Sequence, residues 1–160
     1  MPADGQRSRR RASLPALEPV PVASIPRLQD WESRLVDAIG STPGVCVELA
    51  AAAVIAVVGI DPIAQLRRVL RRSQIALLEH YGPIDAATTT VLGAPMLQYS
   101  RALRGDVALV ELPTGEHALG VIMWPYVVAR CDASETAVLH LPPTAIRAAW
   151  PIGMRAGVES

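Results

Sequence analysis

The chain has 160 residues, with fifteen Arg against fifteen acidic residues, a formal charge of zero, and no Lys, Asn or Phe. A hydrophobic fraction of 51% with only 4% aromatics calls for one domain with an aliphatic, small-residue core. It excludes a disordered polar chain, whose mark is low hydrophobicity with high net charge. The balance also argues against a wholesale nucleic-acid binder, which carries a clear basic excess.

The neutral total is unevenly spread. Arg7, Arg9, Arg10 and Arg11 stand against Asp4 alone, so residues 1–13 carry +3 and the rest −3. Pro15, Pro19, Pro21 and Pro26 then favour an extended, polyproline-like path. Residues 1–27 therefore read as an Arg- and Pro-rich arm, either a floppy tail or a segment that orders on a neighbouring subunit. Five prolines and the lack of a continuous apolar run also argue against a secretory leader over residues 1–30.

The globular part is expected from Leu28. Trp31, Leu35, Val36 and Ile39 have helical spacing, with Gly40 as the stop. Ser41-Thr42-Pro43 is a start signal for a second helix running to Val58 and ended by Gly59. That helix is apolar on nearly every side after Glu48, which predicts a central, buried position. The apolar run Leu49–Ile60 reaches only about 18 Å as a helix, short of a bilayer core of about 30 Å, so no membrane span is expected. Asp61-Pro62 opens a third helix, in which Arg67, Arg68, Arg71 and Arg72 share one face. No acidic residue lies within four positions of that group, so local pairing cannot neutralise it. The face is either solvated or a docking surface for an acidic partner. Helices are also expected over Ser73–Tyr81 and Pro83–Leu92.

After Gly93 the pattern turns to strands. Asp106–Leu112, the turn Pro113-Thr114-Gly115 and His117–Trp124 read as a hairpin. Tyr126–Arg130, Ala137–Leu141 and Ile146–Trp150 follow as further strands. Helices first and an antiparallel sheet second make an α+β fold. Two distant Cys and three scattered His make no zinc site, and no phosphate loop is present, so no cofactor or metal is expected. Whether Cys46 and Cys131 pair is left open by the spacing.

One constellation stands out. It comprises Trp31 in the first helix, Cys46 before the alanines 50–53, and Gly59-Ile60-Asp61-Pro62. Arg104-Gly105-Asp106-Val107, Ala118-Leu119-Gly120-Val121 and Arg147 to Trp150 complete it. This order resembles the NlpC-type cell-wall endopeptidases, a papain-like cysteine peptidase family, and more closely a family of phage and prophage tail-associated proteins related to them. The match covers roughly residues 28–152, leaving 153–160 as a C-terminal tail. The resemblance implies a papain-like fold with N-terminal helices on a small antiparallel sheet. It also implies a thiolate nucleophile, Cys46, at a helix N-terminus that lowers its pKa.

The sequence departs from the peptidase pattern. Val45 precedes Cys46 where Asp is usual, Ala118 takes the place of the base His, and Arg130 falls near the position of the residue that orients it. His117 is one residue off, and adjacent strand residues face opposite sides unless a bulge at Gly115 or Glu116 intervenes. His80 and His140 fit structural roles better. The resemblance therefore implies a degenerate peptidase domain, with Cys46 and His117 as vestigial catalytic residues. Its role would be structural, near the tip or baseplate of a phage or phage-like tail assembled in the host cytoplasm.

Arg7, Arg9, Arg10, Arg11, Arg67, Arg68, Arg71 and Arg72 would then bind other tail or baseplate proteins. The alternative is an active endopeptidase or amidase cleaving peptidoglycan. A third reading makes the same arginines a nucleic-acid contact, but no interleaved aromatics offer stacking, so nucleic acid is not the expected partner.

Overall fold

The computed structural model describes residues 16–42, 46–72, 82–130 and 138–155. Among these, four α-helices precede a five-stranded antiparallel sheet, an α+β arrangement. The helices are α1 (Trp31–Ser41), α2 (Cys46–Val58), α3 (Ala64–Arg72) and α4 (Ile84–Leu92). The strands are β1 (Val107–Glu111), β2 (His117–Ile122), β3 (Val127–Arg130), β4 (Val138–Leu141) and β5 (Ile146–Trp150), ordered β4-β3-β2-β1-β5. The helix expected over Ser73–Tyr81 lies outside the described residues.

Nine of the thirteen residues of α2 are buried, as its all-round apolar sequence requires. It packs between α1 on one side and β2 on the other. Gly59 closes it with φ near +83°, and its N–H donates to Ile55 O; a residue with a Cβ is strained in that left-handed turn. Gly40 does not stop α1. The helix runs on to Ser41, and Thr42 caps it by donating both its N–H and its hydroxyl to Ala38 O. A glycine weakens a helix without ending it where the backbone bonds continue.

The β1–β2 ladder is regular from Glu111↔His117 to Val107↔Val121. Alternation therefore sorts the two strands cleanly. Val107, Leu109, Leu119 and Val121 join the cluster that includes the buried face of α2 and Trp150. Ala108, Val110, Ala118 and Ile122 join a second cluster with Val127, Ala129, Leu141 and Ile146. That second cluster unites the two edge strands. In a flat sheet β4 and β5 would lie roughly 19 Å apart. They are joined only by residues 142–145, three of them in a 3-10 turn that rises about 2 Å per residue. The sheet must curl, and alanine-rich positions on its concave side let it do so without crowding. At Gly120 an added Cβ would meet Val128 O at 2.8 Å, so only glycine permits the close approach of β3.

The curl also shows in β5. Its register against β1 shifts between Leu109 and Val110, which leaves Arg147 as an unpaired extra residue. Arg147 points out and meets Glu111 at 2.7 Å.

The arm expected over residues 1–27 begins to belong to the domain before its predicted end. Val22 is fully buried and Leu17 nearly so. Val20 N–H donates to Val91 O in α4, and Leu28 N–H to Val57 O in α2. The prolines do keep residues 16–21 free of regular structure. Apolar residues between them nevertheless find a groove, because an extended chain can bury side chains without forming internal hydrogen bonds. The tail predicted from residue 153 is likewise held at its start: Gly153 and Met154 donate their N–H groups to Val22 O and Ile25 O.

Candidate functional site: the two ends of the sheet

Cys46 is the first residue of α2, and the N-terminal end of a helix dipole favours negative charge. Its side chain is half-buried and packs against the concave cluster, to which Ala118 belongs. His117 opens β2 and is exposed. The regular ladder sets it on the side of Leu119 and Val121, opposite Ala118. No bulge forms within the β1–β2 pairing, and the turn beyond it is closed by Leu112 N–H donating to Glu116 O. The position of the base in the peptidase pattern is therefore held by an alanine, and the exposed His117 stands on the other side of the strand, the side against which α2 packs.

Arg130, near the third position of the peptidase pattern, ends β3 and is buried. A guanidinium offers donors only, so it cannot accept an imidazole proton. His140 is exposed and stacks on Tyr126, with centroids 4.5 Å apart and planes 11° apart. That contact gives it a structural place. His80 and Cys131 lie outside the described residues.

The arginine face of α3 is only partly what the sequence suggests. Arg67 bonds Glu48 of α2 at 2.8 Å and also pairs with Asp61. Burial lowers the pKa of its guanidinium, but the hydrogen bonds to Glu48 and Asp61 more than reverse this, so it lies above the ordinary arginine value. Arg67 is thus engaged within the domain. The local sequence hid this because Glu48 sits nineteen positions away. Arg68 is exposed. The side chains of Arg71 and Arg72, and all of Arg7, Arg9, Arg10 and Arg11, lie outside the described residues.

The best-built polar centre is elsewhere. Asp106, just before β1, has no exposed surface. Its Oδ1 accepts from Arg27 Nη2 at 3.1 Å and from Ile152 N at 2.9 Å. Its Oδ2 accepts from Arg155 Nη2 at 2.6 Å and from Leu103 N at 2.7 Å. Arg27 also donates to Ile152 O and Arg104 O, and lies 4.3 Å over the Trp31 ring. Burial lowers the Arg27 pKa, the Asp106 charge opposes that, and nearby Arg155 adds to the lowering.

Sequence reasoning reads Asp106 as a residue that starts a strand. That is correct locally, since Leu103 N–H reaches its carboxylate, but it misses both arginines. The available signal was an acid at the head of an apolar strand, a place where burial demands partners.

An open groove of about 440 Å³ lies between the β1–β2 turn and the segment after β4, lined among others by Glu111, Pro113, Leu141, Pro142 and Arg147. Neither Cys46 nor His117 lines it. Among the described residues, no group of three His, Cys, Asp or Glu side chains could hold a metal ion, and no helix is long and apolar enough to cross a membrane. Residues 26–152 match the model of a family described as a domain of unknown function, DUF6950. No curated protein and no solved structure matches the chain.

Proposed function

The chain belongs to the DUF6950 family, and we propose that it is a papain-like, NlpC-type domain without a working peptidase site. Its role is that of a structural component of a phage or phage-like tail, near the tip or baseplate. The observation that supports this reading is at β2: Ala118 stands at the place of the base, and the regular β1–β2 ladder leaves His117 one residue off, exposed at the start of the strand. A cysteine protease of this pattern needs an imidazole base and an acceptor to orient it, and the matching positions here hold Ala118 and Arg130. The donor-only Arg130 near the third position supports the same conclusion. The arginines of residues 7–11 supply planar, bidentate donors for acidic surfaces of neighbouring tail proteins.

One observation favours the enzymatic alternative, a peptidoglycan endopeptidase or amidase: Cys46 opens an apolar helix, a position that lowers a thiol pKa. Two measurements separate the readings. On the structural reading, Cys46→Ala leaves particle assembly and infectivity unchanged, and the purified chain does not cleave muropeptides. Cleavage that is lost in Cys46→Ala would establish the enzyme instead. Deleting residues 1–15 should spare the fold and prevent incorporation into particles, and normal incorporation would remove the arm from the proposal. The deletion must stop at 15, because Leu17, Val22 and Arg27 belong to the domain.

A further inference from the structure

We infer that Asp106 joins the two terminal segments of the domain into a single latch, so that loosening either segment releases both. The N-terminal strap, residues 16–28, crosses α4 and reaches α2, with Val22 buried in the main core. The C-terminal strap, residues 151–155, runs alongside it. The two touch directly through Gly153 N–H to Val22 O at 3.0 Å and Met154 N–H to Ile25 O at 2.8 Å. Gly153 has φ near +87°, and an added Cβ would meet Arg27 Cγ at 2.6 Å, so the straps are in close contact.

The carboxylate divides its oxygens between them. Oδ1 holds Arg27 of the first strap and the Ile152 amide of the second, and Oδ2 holds Arg155 of the second strap and the Leu103 amide. Arg27 in turn donates to Ile152 O, which crosses from one strap to the other.

The coupling follows from this sharing. If Arg155 leaves, Asp106 loses a cationic partner, and the C-terminal strap loses its side-chain tie to the carboxylate. As residues 152–154 lift, Val22 O, Ile25 O and Arg27 Nε lose the partners they have there. If Arg27 leaves, Arg155 and the Ile152 amide face a carboxylate with less to hold it, and Ile152 O loses its donor. A buried charge stripped of one partner is costly, so neither strap has a comfortable half-attached state. The residues that precede Ala16 and those that follow Arg155 are continuous with these straps. An event that pulls on one end of the chain therefore reaches the other end through Asp106 and the hydrogen bonds between the straps. The latch stands apart from the tail reading, since it concerns only the domain's own two ends.

Native-state hydrogen exchange on the full chain tests it. The reporters are the amides of Val20 and Leu28 for the first strap, Gly153 and Met154 for the second, and Leu119 for the sheet. Arg155→Ala should speed exchange at Val20 and Leu28 by about tenfold or more, as well as at Gly153 and Met154, with Leu119 unchanged; opening would then be a cooperative local event. Arg27→Ala should speed Gly153 and Met154 equally. Arg155→Lys, which keeps the charge, should give a smaller rise at the same amides and serves if the alanine variant does not fold. Faster exchange confined to the strap that carries the substitution, in either direction, would overturn the latch.

Discussion

The two ends of the sheet use polar residues in opposite ways. At the Asp106 end, a fully buried carboxylate takes four hydrogen bonds, and its cationic partners come from both ends of the domain. At the other end, His117 is exposed, Cys46 is half-buried, and the Glu111–Arg147 pair leaves 42% of each side chain in water. Conspicuous chemistry in a sequence and the site that holds the structure together need not coincide. The residue types that suggest catalysis stand away from the buried carboxylate that joins the chain ends. The residue that ties the chain ends together sits in a three-letter turn whose local role hides its wider one.

Substitutions read by urea unfolding test this contrast. Asp106→Ala should have the largest effect, a loss of about 3–5 kcal/mol, because it strands two guanidiniums and two backbone amides in a buried place. Gly153→Ala, at the same end, should cost about 1–3 kcal/mol, since its Cβ would meet Arg27 and its φ is left-handed. At α2 and α3, Arg67→Ala should cost about 1–2 kcal/mol, as two hydrogen bonds to carboxylates are lost on a group that keeps some water contact.

The Arg67 guanidinium has a raised folded pKa, so its contribution is fully present below the unfolded value and is lost only as pH rises through the folded one. The Arg67→Ala loss should accordingly stay constant from pH 5 to 9, since the arginine keeps its proton throughout that range, and a change there would show that another group titrates with it. Arg147→Ala should cost at most about 1 kcal/mol and less in high salt, as for exposed pairs generally. If Arg147→Ala costs as much as Asp106→Ala, the contrast between the two ends is wrong.

Several elements could be read from local chemistry because local chemistry forms them. The hairpin of β1 and β2 follows from two apolar runs around Pro113-Thr114-Gly115, and Gly115 does adopt a positive φ. The apolar α2 had to be covered, and α1 and the sheet cover it. Asp61 starts the path into α3 by accepting the Ile63 amide. The predicted arm is too long because proline content reports on backbone conformation and says nothing about whether Leu17 and Val22 find a groove. The candidate site is legible only in outline: the pattern points to Cys46 and His117, and the regular ladder is needed to set Ala118 and His117 on opposite sides of β2.

Residue order along the chain dictates which segments are helix and which are strand, and that α2 lies inside. Those properties depend on neighbours within a turn or a strand, where periodicity and turn residues act directly. Packing in three dimensions set the curl of the sheet, the partners of Arg67, and the joining of Arg27 and Arg155 at Asp106 across separations of 79 and 49 residues. Contacts at that range leave no periodic trace along the chain, because any of the fifteen arginines could have supplied the charge that a buried carboxylate requires.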